Sequence, residues 1–342
     1  MRHRTFFWFI LPSLSAMVLF IALPIVSVLI QSVFVDTPQV LVTTQTCGPF
    51  GCTQSTAVDA AATARQKAEH PLGRFNGIGT YLDRAHLATV EVAQAWHDSP
   101  SAVAFVRALM SLPFYSALAF TLTYTFAVTP IALILGLTVA LAVNALPRAF
   151  RGPTIFVSLL PMIVTPLIGS LILFWMIDAR GIIGSTLQWL LNDPTLSLKA
   201  SPPLTWLTLI LYGIWQQAPF AFIVFYAGLQ TVPPETLEAA MVDGASRWER
   251  VRYVVVPHIA PLIVFVALIE LMDNFRVFEP IVGFSAEASA TSLSYFIYSD
   301  LSGSVPRFGS AAATSILTVI GVAILLAPVL VRTWRDFNRK VV

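Results

Sequence analysis

The chain has 342 residues, of which 56% are hydrophobic and only 11% charged. Its mean hydropathy is +0.77, whereas soluble domains carry about 25% charged residues, so a water-soluble fold is excluded. With 20 basic and 18 acidic residues the net charge is +2, which supplies no global field for nucleic acid or an acidic partner.

Arg2 and Arg4 precede an apolar stretch from Phe6 to Ile30 with no small-residue cleavage site after it. A cleaved signal peptide has a shorter apolar core, so a retained membrane span is predicted at 7–31. The segment 35–114 is too polar for a span and too long for a turn, which makes it a small extracytoplasmic insertion. It holds Cys47 and Cys52, close together in a polar stretch with Gly48, Pro49 and Gly51 between them. That spacing suits a small disulfide loop in an oxidising periplasm, with two free thiols as the alternative. No further Cys or His ligand lies beside them, so no metal site is assigned. Within the insertion, Ala57 to Ala68 and Leu87 to Leu109 read as helical, and Gly73 to Gly79 as a turn.

Five more apolar stretches follow at 115–144, 154–177, 205–229, 260–283 and 310–332, each long enough to cross about 30 Å of hydrocarbon. The fold class is therefore an all-α polytopic membrane protein with six transmembrane helices. Basic residues concentrate in short cytoplasmic segments. Here these are the N-terminus, the turn with Arg148 and Arg151, the loop 231–259 with Arg247, Arg250 and Arg252, and the tail with Arg332, Arg335, Arg339 and Lys340. Six spans put all four on one side and make both termini cytoplasmic. The resulting parts are 1–34 with the first span, the periplasmic insertion 35–114, and a core at 115–342. Prolines and glycines inside the spans, such as Pro130, Pro161, Pro166 and Pro219, mark either kinks or ordinary helix packing.

Between the fourth and fifth spans runs Pro233-Pro234-Glu235-Thr236-Leu237-Glu238-Ala239-Ala240-Met241-Val242-Asp243-Gly244-Ala245-Ser246-Arg247-Trp248. The proline pair opens a helix on which Leu237, Ala240 and Met241 share a face, and Gly244 ends or bends it. A second short helix is expected from Ser246 to Val255, before Pro257 and Pro261. Glu238-Ala239-Ala240, Asp243-Gly244-Ala245 and Pro257 resemble the EAA motif of ABC importer permeases, and the likeness is to the maltose-type carbohydrate group over roughly 115–335. The resemblance implies that Glu238, Ala239, Ala240, Asp243, Gly244, Ala245 and Pro257 couple the spans to an ATPase subunit. It also implies a bacterial inner membrane location and a set of partners: a second permease subunit in a heterodimer, two ABC ATPases that hold ATP and Mg, and a periplasmic solute-binding protein.

Ionisable groups inside spans usually face a bundle interior or a water-filled cavity. In the fifth span, Glu270, Asp273 and Asn274 share a face, while Arg276 can meet Asp273 or Glu279. Carboxylates and amides suit solute hydroxyls, so Asn274, Asp273 and Glu270 are candidate solute contacts; Arg276 and Glu279 read as a structural ion pair. In maltose-type permeases sugar contacts fall on the corresponding span near the position of Asn274. The fourth span adds Tyr212, Trp215 and Gln216 as candidates, with aromatic packing or interfacial anchoring as the alternative. The five histidines show no ligand spacing and no catalytic residue is assigned. The expected function is ATP-driven import of a sugar, polyol or glycoside by alternating access, with no cofactor or nucleic acid bound by the chain itself. Another small solute, or a membrane-embedded enzyme using the acidic residues of the fifth span, are the alternatives.

Overall fold

The computed structural model describes residues 3–48, 51–199 and 201–339. Among the described residues, five helices are long and apolar enough to cross a membrane: α1 (Phe6–Gln31), Pro113–Ala145, Pro202–Leu229, Arg247–Phe275 and the Phe308–Arg332 part of the last helix. The helices Arg148–Ile163 and Pro166–Met176 pass the same test only together and are bent by 92°, which makes them either a broken sixth span or a re-entrant loop. Besides a single helical turn at Gly79–Leu82, the helices in chain order are α1, α2 (Ala60–Glu69), α3 (Thr89–Asp98), α4 (Ala102–Met110), α5 (Pro113–Ala145), α6 (Arg148–Ile163), α7 (Pro166–Met176), α8 (Ile182–Leu191), α9 (Pro202–Leu229), α10 (Pro234–Val242), α11 (Arg247–Phe275), α12 (Glu279–Gly283), α13 (Leu293–Ser302) and α14 (Phe308–Arg339). The chain divides into two units, Met1–Tyr115 with Phe296–Val319, and Ser116–Tyr295 with Ile320–Val342.

In the first unit the insertion contains strands as well as helices. β1 (Phe34–Val35) pairs antiparallel with β4 (Arg74–Phe75), and the Phe34 and Phe75 rings meet edge to face at 5.5 Å. β2 (Leu41–Gly48) and β3 (Gly51–Val58) form a hairpin in which Cys47 lies opposite Cys52. The two cysteine side chains, and with them the expected disulfide, lie outside the described residues. The hairpin corrects the expected helical run from Ala57: Ala57 and Val58 close β3, and helix begins only after Asp59, whose carboxylate accepts the Ala62 amide at 2.9 Å. Thr-rich sequence favours the extended state over helix, and Asp is a preferred N-cap. The run expected from Leu87 to Leu109 is likewise two helices, α3 and α4, interrupted at Ser99-Pro100-Ser101 where proline removes a helix donor and Ser101 caps the restart.

Hydrogen bonds fasten the insertion to the start of α14. The Gly309 amide donates to Asp36 Oδ2 at 2.9 Å, and a Cβ on Gly309 would lie 2.0 Å from the Phe34 carbonyl oxygen, so only glycine allows this approach. His86 is fully buried between two acceptors, with Nδ1 2.7 Å from Asp83 Oδ1 and Nε2 3.1 Å from the Ser310 carbonyl oxygen. Nearby Asp300 is paired with Arg307. Burial opposes a charge on His86, but the Asp83 hydrogen bond, the Ser310 carbonyl and the Asp83 and Asp300 carboxylates outweigh it and raise its pKa above the ordinary 6.5. A raised folded-state pKa stabilises below the unfolded value and is lost as pH rises through the folded one. Thermal unfolding and amide exchange around Asp83 to Ala88 are therefore expected to show tighter protection at pH 6 than at pH 8. His86→Gln should flatten that dependence; a wild-type profile independent of pH would contradict it.

In the second unit, buried apolar side chains form two clusters. One gathers Phe120, Tyr124, Val128, Ile177, Leu209, Ile281 and Phe284; the other gathers Ala140, Val143, Ala221, Phe222, Phe225, Ile259 and Val266. Lipid is as apolar as leucine, so such helices hold together by close packing rather than by exclusion from water, which small residues such as Ala140 and Ala221 permit.

Two expected spans differ from the observed ones. The stretch 154–177 is not one helix, because Val164 and Thr165 are extended, with ψ of 125° and 143°. Proline disfavours helical geometry in the residue before it, and Pro166 follows directly. The expected separate helix over Ser246 to Val255 is instead the start of α11, which runs unbroken from Arg247 to Phe275. Ser246 and Glu249 form a reciprocal capping box, with bonds of 2.7 and 3.3 Å. A π-turn at Val251–Val255 precedes Pro257, and such a turn re-routes the ladder where a proline lacks its donor. The helix then stops at Phe275, short of the expected 283, and α12 begins afresh at Glu279.

Candidate functional site

The end of α11 brings three elements of the second unit together. Glu270, Asp273 and Asn274 follow one another at helical spacing, and Asn274 is buried. Its Nδ2 donates to Thr129 Oγ1 on α5 at 3.0 Å, and its Oδ1 accepts from Gln217 Nε2 on α9 at 3.4 Å. An asparagine amide has four hydrogen-bonding positions, so one donor and one acceptor position remain beyond these two bonds.

A cavity of about 510 Å³ opens beside this amide, lined by Tyr124, Pro166, Gln216, Gln217, Asp273, Asn274, Arg276, Val277, Glu279 and Pro280. Ligand sites for small molecules fall in the range of about 300–1,000 Å³. Of the six solute candidates named from the sequence, the cavity thus gathers Asn274, Asp273 and Gln216. Asp273 Oδ1 pairs with the Arg276 guanidinium at 3.0 Å, and both side chains are exposed; a pair so placed holds geometry more than it adds stability. Of the two partners expected for Arg276, Asp273 is the one it meets; Glu279 is not, because Arg276 lies past the end of α11 and Glu279 opens α12, so helical spacing no longer relates them.

Glu270 lies one turn before Asn274 and is outside the cavity lining. It is 1% exposed, and neither carboxyl oxygen has a hydrogen-bond partner among the described residues. A buried polar group without a partner costs about 1–3 kcal/mol. Tyr212 and Trp215 are also outside the lining. Tyr212 is buried and donates to the Pro166 carbonyl oxygen at 2.8 Å, which fastens the break between α6 and α7, while Trp215 leans on it at 5.9 Å. Tyr124, Pro166, Gln217, Arg276, Val277, Glu279 and Pro280 are the lining residues that the candidate set lacked. The threonines Thr121, Thr125 and Thr129, all buried at four-residue spacing on α5, were the sequence signal that could have brought that helix into the site.

The other candidate group lies on α10 and the start of α11. Leu237 packs into the second apolar cluster, while Glu238, Ala239, Asp243 and Gly244 are exposed. Ala240 and Ala245 are half-buried and joined by a bond from the Ala245 amide to the Ala240 carbonyl oxygen at 2.9 Å. Gly244 has φ of +81°, the left-handed conformation that turns the chain from α10 to α11. Pro257 is exposed ten residues into α11. Met241, Val242, Trp248 and Tyr253 leave apolar surface around this corner, with Val242 88% exposed.

The profile described as "Binding-protein-dependent transport system inner membrane component" matches residues 5–335. The "Trehalose/maltose transport system permease protein MalF" of Thermococcus litoralis is 27% identical over 232 residues, covering 63% of this chain and 73% of that protein. The "Probable ABC transporter permease protein y4oQ" of Sinorhizobium fredii is 30% identical over 243 residues, covering 68% and 75%. Among solved structures, a bacterial ABC transporter involved in the import of the acidic polysaccharide alginate matches with a TM-score of 0.60 and 23% identity, over 75% of this chain and 92% of that one.

Proposed function

This chain belongs to the family of binding-protein-dependent transport system inner membrane components, and on that premise we propose that it imports a carbohydrate-like solute by alternating access. It is a permease subunit of the sugar-transport type, multi-pass in the membrane. In the proposed assembly it pairs with a second permease, is driven by two ATPases that hold ATP and Mg, and receives solute from a periplasmic binding protein. The termini and the α10 corner then lie in the cytoplasm of a bacterial cell, and the insertion in the periplasm.

The observation that carries the solute reading is the cavity lined by Gln216, Gln217, Asp273 and Asn274. Its amides donate and accept, its carboxylates accept, and together they match a solute rich in hydroxyls. The broken α6–α7 pair and the gap between α11 and α12 flank it, and both supply main-chain breaks of the kind that lets one part of a bundle move against another. At the other end, the exposed small residues Ala239 and Gly244 allow close approach of an ATPase subunit, and the charges of Glu238 and Asp243 fix register. ATP-driven closure of the ATPases pulls on this corner, and because α11 is one unbroken helix the motion is carried to Asn274.

Reconstitution of the complete transporter in proteoliposomes tests the assignment. Uptake of labelled trehalose or maltose should require ATP, the ATPases and the binding protein together. Uptake without ATP, or solute turnover by this chain alone, would refute import and favour a channel or a membrane enzyme.

A further inference from the structure

We infer that the cavity repels anions and admits a neutral or cationic solute, with Glu279 as the residue that sets this preference. The inference rests on the proposed reading of the cavity as the solute site. Three charged side chains line it, Asp273, Arg276 and Glu279, and no lysine or second arginine is among the lining residues. Arg276 gives one guanidinium nitrogen to Asp273 at 3.0 Å, so its charge is answered locally. Glu279 is exposed, and none of the ion pairs among the described residues includes it; the titratable groups it bears on are the neutral phenols of Tyr124 and Tyr212. The lining therefore carries one uncompensated negative charge.

A carboxylate or phosphate solute would enter against that charge without a free cation to receive it. A unit charge within a few ångströms in partly excluded water changes occupancy by about tenfold. Hydroxyls meet no such barrier, since they donate to carboxylates and accept from the amides of Gln216 and Asn274. An ammonium group, as on an amino sugar, would gain from Glu279. A structural role competes with this one, because an acidic residue at the first position of α12 also favours that helix start. A readout of charge inside the cavity separates the two.

Gln216→Cys places a thiol in the lining, and the complete transporter in membrane vesicles is treated with methanethiosulfonate reagents bearing either a trimethylammonium or a sulfonate group. Modification of the peptide that contains position 216 is followed by mass spectrometry, with each rate normalised to that of a free thiol. The cationic reagent is expected to react about tenfold faster than the anionic one. Adding Glu279→Gln should bring the ratio close to one, and Glu279→Asp should restore it. Equal rates for the two reagents without the Glu279 change, or a ratio that Glu279→Gln leaves unaltered, would overturn the inference while leaving the cavity as the solute site. A thiol that neither reagent reaches in any nucleotide state would sink the reading of the cavity itself.

Discussion

Gly244→Val is expected to lower solute-stimulated ATP hydrolysis by about tenfold while leaving the transporter able to insert in the membrane. Gly244 has φ of +81°, and a Cβ built there meets nothing within 4 Å. Crowding is therefore no obstacle, and the whole penalty is that of forcing an L-residue into the left-handed region. For an ordinary side chain this is about 1–2 kcal/mol and more for a β-branched one. The corner relieves that strain by unwinding, which breaks the bond between the Gly244 amide and the Met241 carbonyl at 3.1 Å and that between Ala245 and Ala240 at 2.9 Å. The cap that holds Glu238 and Asp243 at fixed distance from α11 is then lost. A free-energy change of about 1.4 kcal/mol is tenfold in population, hence the expected size. Gly244→Asn is the informative control, because asparagine tolerates the same conformation. Its activity should stay within about twofold of wild type. Full stimulation in the valine variant would remove this corner from the coupling path.

The sequence announces the spans more clearly than their interruptions. Six apolar stretches were readable because a helix in lipid must be apolar all round, and the structure places helix in each of them. The break before Pro166 had a local signal in the pre-proline Thr165, but proline inside spans is also tolerated, and nothing local distinguishes Pro166 from Pro130, which sits within the unbroken α5. The continuity of α11 through Pro257 was hidden for the opposite reason. It depends on a π-turn at Val251–Val255, a redistribution of main-chain bonds that no side-chain pattern reports. In the insertion, β2 and β3 were missed because Thr, Gln and Ser alternate there without an apolar face.

The candidate site divides along the same line. Asn274 and Gln216 stood out as amides in apolar surroundings. Thr129, 145 positions from Asn274 in sequence, became relevant only when α5 met α11. Arg276 and Glu279 were judged by helical phase, and that phase ends at Phe275. Glu270 presents the reverse case: a carboxylate in a span was read as a solute contact, yet it is shut away from the cavity with both oxygens unpaired.

Asn274→Ala is expected to reduce solute uptake about 30-fold with little change in the basal hydrolysis of ATP. Removing the amide deletes a contact of the proposed solute site and also strands two partners. Thr129 Oγ1 loses the donor at 3.0 Å, and Gln217 Nε2 loses its acceptor at 3.4 Å. A polar group left unpaired in a buried setting costs about 1–3 kcal/mol, and a lost hydrogen bond to solute has a similar size, which together give the expected factor. The two contributions separate in a double-mutant cycle with Gln217→Met. If Asn274 acts through the Gln217 pair, the double variant should be no worse than Asn274→Ala alone, because one partner's removal already forfeits the bond. Strictly additive losses would mean that each amide meets the solute independently. The apparent KM should rise in both single variants, since the cavity lies on the path of entry; a fall in maximal rate at constant KM would instead place Asn274 in the moving parts of the bundle. Uptake within twofold of wild type in Asn274→Ala would rule out the junction of α5, α9 and α11 as the place where solute is held.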